Sequence, residues 1–174
     1  GFFGEGYPFH RLLGPLKPNF SGMTFVAKTT TLHAQAGNMP LTSNLAPVQL
    51  KPECIWVNWF KLIALNAVGL SGPVAEALLD PAGPSPTGTP ESKWQVRTKP
   101  FMISFMPVGK TVEERLEEMR QFDCLLKKYL PSFKGPLALQ INVSCPNVGL
   151  DPIKLVSEVV ALLDIASELG IPLM

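Results

Sequence analysis

The sequence predicts an α/β fold built around a parallel sheet, and three observations carry that prediction. Two largely apolar runs, residues 101–106 and 137–143, read as buried strands. Each is followed by a segment with apolar residues at helical spacing, the first from Thr111 up to Pro131 and the second over 152–169. A further extended run, Ile171-Pro-Leu-Met174, opens after the second helix. Strand, helix, strand, helix, strand at these intervals specifies βαβ units, which belong either to a doubly wound sheet or to a (β/α) barrel.

Each element has a local reason. Pro100 and Pro107 bound the first run. Thr111 with Glu114 three residues on forms a capping box, and Val112, Leu116, Met119, Phe122, Leu126 and Tyr129 keep one helix face apolar. In the second helix Pro152 stands at the start and Gly170 at the end, with Leu155, Val156, Val159, Leu162, Leu163 and Ala166 as its buried stripe. Earlier, Thr24-Phe-Val-Ala-Lys28 reads as a strand running into a polar turn region over 29–44. Residues 54–65 are expected to form strands or a hairpin before Asn66, and the proline- and glycine-rich stretch 80–90 is expected to be a loop or insertion.

Composition excludes several classes. The 174 residues are 46% hydrophobic, enough for one domain with a substantial core. Fifteen basic against 14 acidic residues leave a net charge of +1, which offers no electrostatic footprint for nucleic acid or an anionic membrane. No apolar run is long enough for a membrane helix, and no secretory signal opens the chain, so a soluble, cytoplasmic protein is expected. Cys54, Cys124 and Cys145 form no C-x-x-C pair, which argues against a disulfide framework and against zinc. Cys54 and Cys124 read as structural. His10 and His33 have no ligand partner at metal-binding spacing, so no metal is expected. The chain begins with Gly and stops just inside a strand-like run, which reads as truncation at both ends.

Four short stretches bear on chemistry. Gly109-Lys-Thr111 resembles the end of a phosphate loop, but Ser104 stands where that motif requires glycine, so the stretch is expected only to deliver a helix cap. Asn142-Val-Ser-Cys-Pro-Asn147 places two carboxamides and a thiol at the C-terminal end of a parallel strand, the edge at which such sheets hold ligands. Paired asparagines suit a planar heterocycle with alternating C=O and N–H groups. Cys145 could act as a general base if its thiol pKa is lowered, although a lone cysteine at a strand end is more often simply packed. Lys28, ending a strand, could face an anionic flavin or a carboxylate, or could equally be solvated. Asn66-Ala-Val-Gly-Leu70 offers a carboxamide and backbone N–H groups around Gly69, a cradle for a carboxylate.

In order and spacing, Lys28-Thr-Thr-Thr31, Gly37-Asn-Met-Pro40, Asn66-Ala-Val-Gly-Leu70 and Ile141-Asn-Val-Ser-Cys-Pro-Asn147 resemble the dihydroorotate dehydrogenase family. Cysteine at 145 is similar to its cytosolic class 1. The resemblance implies a (β/α)8 barrel carrying FMN, of which this chain would be roughly the first half and inactive by itself. It implies that Lys28, Thr29 and Asn142 bind the flavin, with Lys28 and Asn142 also touching dihydroorotate. Asn66, the backbone of Val68, Gly69 and Leu70, and Asn147 would hold the pyrimidine and its carboxylate. Cys145 would remove the C5 proton. A homodimer or an electron-transfer partner subunit would fit the class. Two departures stand out: Gly37-Asn-Met-Pro-Leu-Thr42 lacks the family's arginine, and Val68 replaces a frequent methionine. The alternatives are a dihydropyrimidine dehydrogenase-like barrel acting on uracil-type substrates, disfavoured by Asn147, and a non-catalytic α/β scaffold.

Overall fold

A computed structural model of the chain describes residues 15, 24–42, 48–49, 51–58, 60–72, 74–79, 94–95, 97–143 and 158–174. Their elements in chain order are β1 (Phe25–Val26), β2 (Ile55–Asn58), β3 (Ile63–Asn66), α1 (Ala75–Leu79), β4 (Phe101–Phe105), α2 (Val112–Tyr129), β5 (Leu137–Ile141) and α3 (Val159–Ser167). The expected loop over 80–90 and the first turns of the second helix, 152–157, lie outside the described residues.

The fold is mixed α/β around a small parallel sheet in the order β1-β4-β5. Phe25 stands opposite Phe101, and Phe101 opposite Leu137. Regular pairing of the first strand is shorter than expected, but a bridge from Thr30 to Phe105 carries the contact past Lys28. The run at 171–174 takes the free side of β5: Leu173 bridges Leu139 in parallel, and Ile141 N–H donates to the Met174 carbonyl at 2.9 Å. No closed barrel forms among the described residues.

Apolar residues explain why β4 is central. Phe101, Ile103 and Phe105 are fully buried, and α2 covers them with Met119, Phe122 and Leu126. The rings of Phe105 and Phe122 stack with centroids 3.9 Å apart at 9°. Val112, expected in this stripe, is 40% exposed, because it lies in the first turn ahead of the packed face. Two polar residues that the hydrophobic pattern misses, Arg115 and Asp123, occupy buried positions on the same stripe. Asp123 pairs with Lys127 at 2.8 Å, which together with Glu168 raises the lysine above its usual value.

The capping box forms as the sequence predicts. Glu114 N–H donates to Thr111 Oγ1 at 3.1 Å, and Glu114 Oε2 accepts from the N–H groups of Thr111 and Lys110. Glu118 Oε2 accepts from Val108 and Gly109 in the same loop. Two carboxylates thus take the amide donors that a phosphate would need, so the structure agrees that Gly109-Lys-Thr111 is a cap. α3 packs on α2 through Leu162 and Ala166, and Gly170 closes it at φ +66°, a left-handed conformation that glycine adopts without strain.

The 54–65 stretch is a hairpin. β2 and β3 pair antiparallel from Ile55 opposite Asn66 to Asn58 opposite Ile63. It is strongly apolar and exposed: Phe60 is fully open, Leu62 is 87% and Leu65 62% exposed, and Leu62 holds a positive φ of 52°. An exposed apolar ribbon promotes edge association, and a branched side chain is strained at positive φ. Phe60→Ser combined with Leu62→Asn is therefore expected to raise the solubility limit without lowering Tm. A lower Tm with no gain in solubility would mean that these side chains are packed in solution.

Candidate functional site

A parallel sheet brings the C-terminal ends of all its strands to one edge, so residues distant in sequence become neighbours there. Thr30 N–H donates to the Ser104 carbonyl at 2.9 Å, Met106 N–H to the Thr30 carbonyl at 3.0 Å, and Asn142 N–H to the Phe105 carbonyl at 2.7 Å. The backbone bonds fix the register of Thr29 and Asn142. In that register Asn142 Nδ2 donates to Thr29 Oγ1 at 3.0 Å, and the Thr29 and Ser104 hydroxyls lie 2.9 Å apart. A carboxamide and two hydroxyls from three strands thereby form one chain of hydrogen bonds. Ser104 is buried, while Thr29 and Asn142 are half-buried.

Lys28 leaves β1 toward a second feature. Its ammonium donates to the main-chain carbonyl of Ser71, and a Cβ at Gly72 would lie 3.5 Å from Nζ. The 67–72 turn is stitched to the 36–39 turn: Asn38 N–H donates to the Val68 carbonyl at 2.9 Å, and Asn38 Nδ2 to the Ala67 carbonyl at 2.7 Å. Met39 N–H donates to Ser71 Oγ at 3.2 Å. Gly37 and Gly69 both adopt positive φ, at 55° and 70°. A Cβ on Gly37 would fall 1.9 Å from Ser71 Oγ, so only glycine permits this approach.

The structure therefore brings Thr29 and Asn142 together at the sheet edge, and it joins Lys28, the residue before Thr29, to the Val68-Gly69-Leu70 turn through Ser71. The Leu70 side chain is buried in this turn. Asn66 ends β3 on the exposed hairpin and makes no hydrogen bond to Lys28, Thr29 or Asn142. Cys145 and Asn147 lie outside the described residues. Of the other cysteines, Cys54 is half-buried and Cys124 is exposed on α2. Ser104 and Ser71 were missed. Ser104 had a signal, being the one hydroxyl in an apolar strand, whereas Ser71 had none.

An ammonium, a carboxamide linked to hydroxyls and two glycine turns can recognise a planar polar ligand carrying an anionic group. Among the described residues no three His, Cys, Asp or Glu side chains cluster as metal ligands would, and no helix is long and apolar enough to cross a membrane. Compared with known proteins, the chain matches no family model, no curated protein and no solved structure.

Proposed function

We propose that this chain contributes to an FMN-dependent dihydroorotate dehydrogenase that oxidises dihydroorotate to orotate in cytoplasmic pyrimidine synthesis. The observation that supports this most is the pairing of Asn142 with Thr29 at one sheet edge, where Thr29 follows Lys28 in the chain and Asn142 stands immediately ahead of Val143-Ser-Cys-Pro-Asn147. We also read the sheet as part of a (β/α)8 barrel. Its strands and the 171–174 run follow one another across the sheet in chain order, whereas a doubly wound sheet reverses direction at a switch point.

The residues suit a flavin's polar edge, since two hydroxyls and a carboxamide lie together at the strand ends. FMN, when bound, would supply the acceptor for the hydride leaving C6. On this reading Lys28 offers positive charge to the flavin and to the substrate carboxylate. Thr29 orients Asn142, and Asn142 bonds the flavin and the pyrimidine. The backbone of Val68, Gly69 and Leu70 cradles the carboxylate, with Asn66 and Asn147 as further amide partners. The Cys145 thiolate takes the C5 proton, which leaves the C5=C6 double bond of orotate.

The test is Cys145→Ala in the full-length protein with dihydroorotate as substrate. Loss of a general base predicts a fall in kcat of about 10²- to 10⁴-fold, with flavin retained. A rate near that of the wild type sinks the cysteine-base mechanism. A wild-type protein that leaves dihydroorotate unchanged removes the reading altogether.

A further inference from the structure

We propose that Ser71 is a positioning residue of this site: it sets the Lys28 ammonium against the 67–70 turn and so governs binding of the substrate's carboxylate. The inference rests on the reading of the site as one for dihydroorotate and orotate, and it adds a residue to which that reading gives no role.

The argument starts from reach. Lysine carries its charge on a flexible four-carbon stem, so the ammonium has a defined place only where an acceptor holds it. Here one such acceptor is the Ser71 carbonyl, 43 residues along the chain. That carbonyl is in turn placed by its own side chain. Ser71 is 2% exposed, and its hydroxyl receives Met39 N–H at 3.2 Å while lying 3.2 Å from the Val68 carbonyl and 3.5 Å from the Ala36 carbonyl. One hydroxyl thus joins both glycine turns, and Gly37 lacks a Cβ where that hydroxyl sits. Loss of the hydroxyl removes the ties at Ser71 itself and leaves the two turns joined through Asn38 alone, which loosens the carbonyl on which Lys28 rests. An ammonium has three N–H donors, so its bond to Ser71 is compatible with a simultaneous contact to an anion.

The experiment is a spectral titration of the full-length, flavin-loaded protein with orotate and, in parallel, with the uncharged methyl ester of orotate. Ser71→Ala is expected to raise the Kd for orotate about tenfold, the scale of one weakened charge-assisted contact, and to leave the ester within about twofold. Equal losses for both ligands would show a structural effect on the pocket and overturn the proposal, as would unchanged orotate binding. If Ser71→Ala fails to load flavin, Ser71→Cys keeps the volume and weakens the hydrogen bonds. It is then expected to show the same selectivity at about threefold, and no selectivity would again overturn the proposal. Wild-type flavin that does not respond to orotate at all defeats the proposed function rather than the role of Ser71.

Discussion

Arg115→Ala lowers the free energy of unfolding by about 3 to 5 kcal/mol, the range for breaking one side of a buried ion pair. Arg115 is 6% exposed, and its guanidinium grips Glu158 through two parallel bonds, Nε to Oε1 at 2.6 Å and the terminal nitrogen to Oε2 at 2.7 Å. Its remaining nitrogen donates to the carbonyls of Gly109 at 2.8 Å and Lys110 at 3.3 Å. Arg115 therefore ties the loop after β4, the first turns of α2 and the start of α3 into one unit. Hydrogen bonding to Glu158 raises the arginine above its usual value, so it stays charged wherever the fold exists. Removing it strands a carboxylate that is 3% exposed. Arg115→Met with Glu158→Leu removes both charges and should recover most of the loss, leaving a deficit of about 1 to 2 kcal/mol for the two loop carbonyls. Urea unfolding of the single and double variants measures this. Equal losses in both would mean that the pair is solvated.

Phe105→Ala is expected to cost about 3 to 5 kcal/mol as well, for a different reason. Phe105 has no solvent exposure and stacks on Phe122, so truncation leaves a cavity between sheet and helix that rigid neighbours cannot fill. A cycle with Phe122→Ala should show a coupling of about 0.5 to 1.5 kcal/mol from the ring pair. The same residue also bears on the site. Its carbonyl accepts Asn142 N–H, and its backbone bridges to Thr30, so relaxation around the cavity disturbs the strand ends that hold Thr29 and Asn142. A thermal melt of Phe105→Ala that loses less than about 1 kcal/mol would show that this contact is not part of the core.

The two variants separate the supports of the candidate site. Arg115 acts on the loop that follows β4 and on its ties to α2 and α3, and Phe105 acts on the strand end beneath the hydrogen-bonded chain. Ser71 acts on neither and should leave unfolding far less affected than ligand selectivity.

The sequence by itself determined what depends on near neighbours. The box of Thr111 and Glu114, the apolar strands β4 and β5, the glycine end of α3 and the hairpin over 54–65 all formed, because each is encoded within a few residues. Lys28, Thr29 and Asn142 were also legible as candidates, from their place at strand ends and from a family resemblance. Only the tertiary structure decided which groups meet. Thr29 and Asn142 are 113 residues apart, Thr29 and Ser104 are 75 apart, and no periodicity encodes such a pairing; the register of three parallel strands does. The same holds for Arg115. A hydrophobic pattern assigns a charged residue to solvent, and here burial depends on Glu158, whose carboxylate arrives from the far end of the next helical connection to satisfy the charge.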